Sequence, residues 1–117
     1  MAVIEPVPTD AGRNTKRVVW ANITNGDTCT AMPFPHARDK TAQAKGTFGG
    51  AALTIEGSLD ADIAGTYAGL TDPQGTAISF AAAGIEALLE NVYWVKPVLT
   101  GGTGSSITVT MLMGVTV

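Results

Sequence analysis

The residue types able to do chemistry are few and widely spaced in this chain. There is one cysteine and one histidine, Cys29 and His36, separated by a proline-rich stretch. A structural metal centre needs about four ligands, and only Asp27 and Asp39 lie close enough in sequence to join this pair. Any Ser-His-Asp or Cys-His arrangement would have to use His36. No Gly-x-Ser-x-Gly elbow occurs, and the glycines of TGGTGSS are not followed by the lysine of a phosphate-cradling loop. Three carboxylates, Glu56, Asp60 and Asp62, gather near the turn in TIEGSLDADIAG. They could offer oxygen ligands to a hard cation, but the glycine and closing glutamate of a calcium loop are missing; the competing reading is a solvated hairpin tip. No catalytic constellation is visible, and the expectation is a protein that is not an enzyme, with no metal and no cofactor.

The aromatic residues Trp20, Tyr67, Tyr93 and Trp94 allow three readings: packing anchors of a core, hot spots of a protein interface, or a platform for stacking a sugar. The Asn-x-Thr triplet at Asn22 matches a glycosylation acceptor but falls inside a predicted strand.

These residues must be positioned by a single domain, since 117 residues suffice for one core and not for two. Apolar residues make up 45% of the chain and charged residues 15%, which is the composition of a globular protein with a plain surface. The net charge of −3 argues against a nucleic-acid binder, which needs a basic face. The charge is polarised: residues 1–45 hold six Lys or Arg against four acids, and residues 46–117 hold Lys96 against six. A basic front of this kind can dock on an acidic partner or on another copy of the chain. The lone cysteine permits no disulfide within the chain and suits a reducing compartment. The opening MAVIEPVPTD lacks a basic n-region and a long apolar run, so no secretory signal is expected, and no stretch approaches the roughly 20 apolar residues of a membrane span.

Many Thr and Val residues, 14 Gly and 6 Pro predict an all-β fold. Residues 1–14, with Pro6 and Pro8, read as an extended N-terminal arm that orders only against a neighbour, and residues 15–117 as the domain proper. KRVVWANITNGDTCTAM predicts a hairpin turning at Asn25-Gly26 through a type I′ turn. MPFPHARDKTAQAKG reads as a loop or crossover, because prolines flank Phe34. Alternation resumes at Leu53 and Ile55; TDPQGTA is a turn by its chemistry. AAAGIEALLENV fits one short helix or an irregular turn, VYWVKPVLTGG a strand apolar on both faces, and SITVTMLMGVTV a long terminal strand with Ile107, Val109, Met111 and Met113 on one face. Strands about ten residues apart with turns between them predict a two-sheet sandwich.

The ordered motifs GGAALTIEGS, LTDPQG and YWVKPVLTGG, followed by the terminal strand, carry a family pattern. It resembles the small head-decoration, or cement, proteins of tailed bacteriophages, over roughly residues 46–113, in which G-x-V-T-L-E-G-S, L-T-D-P-Q-G and Y-V-R-P-x-V-T-G-G recur. The resemblance implies a jelly-roll-like β-sandwich with at most one short helix. It also implies a virion structural protein that is made in the host cytoplasm, binds between major capsid protein subunits on the outer surface of the capsid, and stabilises the expanded head. Arg13, Lys16, Arg17, Arg38, Lys40 and Lys45 are then the basic contacts to the shell, and Met32, Phe34 and Phe48 its apolar anchors. Trp20, Tyr93, Trp94, Val109, Met111 and Met113 serve the core or self-association as a dimer or trimer. The skeleton is also similar to discoidin-type carbohydrate-binding domains, which makes a virion-displayed carbohydrate-binding or adhesion module the alternative, although DADIAGTY stands where those carry D-G-x-N-W. Lys96 stands where the family more commonly has arginine, which keeps the charge and loses the bidentate fork. A neck or tail subunit is the third possibility.

Overall fold

Alternation of apolar and polar residues decides the longest strands, because a period of two sends one set of side chains inward and the other to water. The computed structural model describes residues 2–12, 14–33 and 37–115, the side chains of Ala37, Arg38 and Val115 excepted. In chain order the strands are β1 (Val3–Ile4), β2 (Val7–Gly12), β3 (Thr15–Thr24), β4 (Thr28–Cys29), β5 (Met32–Pro33), β6 (Ala37–Thr47), β7 (Ala52–Ser58), β8 (Ala68–Gly69), β9 (Ser79–Phe80), β10 (Gly84–Ala87), β11 (Trp94–Thr100) and β12 (Ser106–Val115). The fold is all-β, with no helix among the described residues.

The larger sheet has the order β10-β6-β12-β3-β2, all antiparallel. The smaller runs β5-β11-β7-β8, with β9 also paired to β7, and β1 and β4 form a short parallel pair. The inward rows of both sheets share one core. Val18, Trp20, Ile23, Ala42, Ala44, Ile107, Val109, Met111 and Met113 come from the large sheet, and Leu53, Ile55 and Val95 meet them from the small one. Phe48, Leu70, Ile78, Phe80 and Leu88 close the rim.

Four expectations are corrected. The arm is extended but does not wait for a neighbour: Val7 to Gly12 pairs with β3, and the backbone amides of Thr28 and Thr30 donate to the carbonyls of Ala2 and Ile4. Pro6 precedes β2, and Pro8 lies within it at the sheet's edge, where a missing N–H costs no ladder bond. The turn at Asn25-Gly26 forms, with Asp27 N donating to Thr24 O at 3.0 Å, but only Gly26 has positive φ, at 84°, so it is not type I′. The chain leaves it for the parallel pair, and β3 takes β2 and β12 as partners. Residues 37–47 are an eleven-residue strand and not a loop. Residues 84–87 are the edge strand β10 and not a helix, because they pair with residues 41–44 of that same strand.

Two of the three register shifts in the large sheet set side-chain directions around its centre. Asn22 (φ 55°) marks one, where register shifts between Ile107 and Val109 and Asn22 N donates to Thr108 Oγ1 at 3.2 Å. Asp39 (φ 52°) marks the other, where β6 carries two residues opposite Met113. Past this bulge Lys40 falls into the inward row with Ala42 and Ala44 and is 1% exposed.

Candidate functional site

The residues expected to touch a partner scatter once the chain folds. Arg13 and Phe34 lie outside the described residues, as does His36, and Arg38 is described only in its backbone. Lys40 and Phe48 are corrected outright: the first is buried, and the second is 8% exposed within the core. Neither can anchor a neighbouring molecule. Met32 is half-buried, packs against the core and pairs with Val95 at the sheet edge. Lys16 is half-buried at the end of the inward row of β3. Arg17 and Lys45 are exposed on the outer face of the large sheet, beside Leu112 and Thr108 respectively. Those neighbours are four residues apart on β12, about 13 Å, so the two cations do not form one patch.

Of the residues assigned to core or self-association, Trp20, Val109 and Met111 are fully buried and Met113 nearly so. Trp20 Nε1 donates to Thr30 O at 2.8 Å, which satisfies its one polar atom. Tyr93 is 38% exposed and Trp94 half-buried, their rings 5.2 Å apart and tilted by 55°. The Trp94 Nε1 has no acceptor among the described residues. A sugar platform needs coplanar exposed rings, and these four aromatics do not supply one. Trp20 is inside, Tyr93 and Trp94 are tilted, and the Tyr67 face is covered by Lys96 Nζ at 4.3 Å from its centroid.

The carboxylates are consumed by backbone. Asp60 Oδ2 accepts Thr66 N at 2.7 Å, Asp62 Oδ1 accepts Ala64 N at 3.0 Å, and Tyr67 Oη donates to Ile63 O at 2.7 Å. Glu56 is not part of that turn; it sits on β7 opposite Lys96. Asp27 accepts from Ala2 N, Thr24 N and Thr24 Oγ1, and the Thr24 bonds, then the Ala2 bond, hold its carboxyl below the usual range. Asp72 likewise accepts from Gln74 N and Thr76 N within the TDPQGTA turn. Among the described residues, no group of three His, Cys, Asp or Glu could hold a metal ion, and no helix is long and apolar enough to cross a membrane.

Further groups have unusual titration. Burial pushes the Cys29 thiol up to about 12, assisted by Asp27 and opposed by Lys96. A thiol so shifted holds about a thousandfold less thiolate at neutral pH than one at its ordinary value. Cys29 is therefore expected to react with Ellman's reagent at pH 8 at least a hundredfold more slowly in the native protein than in urea; equal rates would contradict this placement. Lys40 donates from Nζ to Asn91 Oδ1 at 2.9 Å, beside a cleft of about 390 Å³ lined by Thr41, Pro73, Leu88 and Leu89. Burial lowers its pKa, while Asp39 and Glu90 partly restore it. Glu90 is itself partly desolvated, yet two bonds from Thr71, at 2.9 and 2.5 Å, leave its carboxyl below the ordinary value.

Among the described residues the exposed large apolar side chains include Val3 and Leu89, each apart from the rest, and two groups. At the end of the small sheet, Leu59 (76% exposed) and Ile63 (42%) ride the loop stapled by Asp60 and Asp62, and Tyr93 N is bound to Ser58 O beside them. On the outer face of the large sheet, one cross-strand row reads Val7, Val19, Thr110, Gln43, Ile85. The next reads Thr9, Arg17, Leu112, Thr41, Ala87. Arg17 is the only charge in these two rows. Tyr93 and Arg17 were among the expected contact residues, whereas Leu59, Ile63, Val7, Ile85 and Leu112 were not. The signal was present in part: Leu112 interrupts a wet row otherwise made of Thr108 and Thr110, and Leu59 precedes a run of turn residues.

No protein-family model matches the chain, and no curated protein matches it.

Proposed function

We propose that this chain is a virion structural protein of the head-decoration type, with a jelly-roll-type body, that binds on the outer surface of a viral shell between major capsid protein subunits and braces them. The observation that supports this best is the exposed apolar end of the small sheet: Leu59 and Ile63 on a loop that its own aspartates hold closed, and Tyr93 just before β11 with its N–H bonded to Ser58 O. A rigid tip binds at small conformational cost, since its residues are already ordered before contact. Tip residues that stand exposed on a monomer, as these do, are the kind that mark protein contacts.

The motifs of the resemblance also have structural duties that suit a brace. Gly57 of the Gly-Ser pair lies where a Cβ would stand 2.6 Å from Val92 Cγ2, so only glycine lets β7 close against the strand that carries YWVKP. That strand pairs Trp94 with Ser58 and Val95 with Gly57. The TGGTGSS segment is tied by Asn25, whose Nδ2 donates to Gly101 O and whose Oδ1 accepts Ser105 N, both at 2.8 Å. These are devices for a stiff body. A shell presents the same pocket many times, so a contact of modest area suffices when copies are linked.

The charge logic changes with this placement. The tip carries Asp60 and Asp62 and no cation, so a neutral or basic pocket between coat subunits fits it, in place of the acidic shell that the basic front suggested. The test is addition of purified protein to expanded heads that lack it. Saturable binding at a fixed copy number with a raised head melting temperature is expected, and a Leu59→Asp, Ile63→Asp double variant is expected to bind at least tenfold more weakly while folding normally. Failure of the unaltered protein to bind would end this reading. Tight binding by the double variant would move the contact off the tip.

A further inference from the structure

We propose that the outer face of the large sheet packs against the same face of a second copy, sheet on sheet, about a two-fold axis running parallel to β12. This goes beyond the shell reading and does not rest on it, because it concerns the isolated protein and a different surface.

The argument begins with strand order. The large sheet has five strands with β12 in the middle, and it is bounded on one flank by Val7 and on the other by Ile85, 58% and 63% exposed. Leu112, 42% exposed, lies at the centre, above a shallow groove it shares with Arg17, Thr41, Gln43, Ile85 and Thr110. The wet face of an antiparallel sheet is ordinarily polar, and like charges on facing surfaces disfavour contact between copies. This one carries Arg17 alone across two complete rows, with Lys45 in the row beyond, in a protein whose net charge is −3.

A symmetric contact presents one surface to itself, so each residue's opposite is fixed by the axis. With the axis along β12, Thr110 and Leu112 meet their own copies at the centre, and the flanks exchange: Val7 lies over the partner's Ile85, and Arg17 over the partner's Thr41. The two Arg17 side chains then stand one strand to either side of the axis, about 10 Å apart across the sheet, with the sheets themselves about 10 Å apart. At that separation salt screens them. An axis across the strands through the Leu112 row would instead set Arg17 over Arg17, which disfavours it. Facing sheets pack with strands turned by about 30°, which shifts the flanks and leaves the central pair of Leu112 side chains together.

The size is adequate. Five strands span about 24 Å and the two rows with their neighbours about 20 Å. That is about 500 Å² in projection, and side-chain relief carries the buried area toward the roughly 800 Å² per partner of ordinary specific complexes.

Sedimentation equilibrium on the whole chain tests the proposal. A species of twice 12.0 kDa is expected at micromolar concentration, with Leu112→Lys and Leu112→Glu each weakening it at least tenfold. Because Leu112 faces itself, an equimolar mixture of the two variants is expected to restore the dimer. Melting of the dilute Leu112→Lys protein at the temperature of the dilute unaltered one shows that it folds. Thr110→Cys on a Cys29→Ser background is expected to cross-link to itself through a short bismaleimide, because facing sheets hold the two Cα atoms about 10 Å apart, beyond the reach of a direct disulfide. A protein that stays monomeric at several hundred micromolar overturns the proposal. So does a dimer indifferent to Leu112→Lys, which would point to edge pairing through β2, or a trimer.

Discussion

Replacing Trp20 by alanine is expected to lower the unfolding free energy by about 3–5 kcal/mol, a large share of the roughly 5–15 kcal/mol available to a domain of this size. Trp20 heads the fully buried side chains by volume. It lies on β3, one strand from the middle of the large sheet, in the core that both sheets share. Its neighbours cannot collapse into the space, because the adjacent strand is β12, pinned on both sides, and the facing strands carry their own ladder bonds. The loss has a second part. Thr30 O would lose the indole donor, and Thr30 lies between the two short strands that follow the Asn25-Gly26 turn. Trp20→Phe keeps most of the apolar volume and drops the hydrogen bond, so it is expected to cost about 1–2 kcal/mol. Urea denaturation of both variants separates packing from bonding. A Trp20→Ala protein within 1 kcal/mol of the parent, on the scale of surface substitutions, would place this side chain outside the core.

Lys40→Met is expected to act in the opposite direction, raising stability by about 1–3 kcal/mol at pH 7. Lys40 is 1% exposed, its amine bonds to an amide oxygen and not to a carboxylate, and burial depresses its pKa below the ordinary 10.5. The folded state therefore holds this proton less tightly than the unfolded chain. Between the depressed value and 10.5 the unfolded chain binds more protons, and stability from this group rises with pH. Below that window the whole penalty is present; above it the penalty is gone. The advantage of Lys40→Met over the parent should accordingly shrink between pH 7 and pH 10.5. The partner Asn91 is exposed and turns to water when the amine is removed. Denaturant midpoints for both proteins at pH 7 and pH 10 check this. A variant less stable than the parent at pH 7 would mean that the amine contributes more through Asn91 than its burial costs.

The Lys40 case shows where reading residues in order stops. As text, RDKTAQAKG is a basic, polar stretch after two prolines, with little β propensity. In the fold it is a strand held between β12 and β10, and its alanines are the small partners that let Trp20 and Met111 fill the core. Local preference lost to the demand of neighbouring strands for hydrogen-bond partners. The same demand turned GIEA, with its helical spacing of Ile85 and Leu88, into an edge strand. Phe48 follows this pattern as well. It reads as an exposed anchor beside glycines, yet its carbonyl accepts Ser105 Oγ at 2.5 Å and its ring is in the core.

The candidate surfaces divide similarly. That Asp60, Asp62 and Asp72 lie in turns was legible, because aspartate followed by small residues bonds its own backbone. That Leu59 and Ile63 stand together on one rigid tip, or that Val7, Leu112 and Ile85 share a face, was not. The three of the outer face are brought together by pairings 12 to 91 residues long in sequence, from Val7 to Val19 and on through Thr110 to Gln43 and Ile85.

By itself the sequence determined the all-β class, the turns at Gly26 and Gly75, and the inward face of the terminal strand, since each depends on residues next to one another and on a period of two. Only the tertiary structure decided which strands are neighbours, that a lysine points inward, and which apolar residues are left over on the outside. Those depend on long-range register and on two bulges, where one extra residue reverses the side of the sheet to which every later side chain belongs.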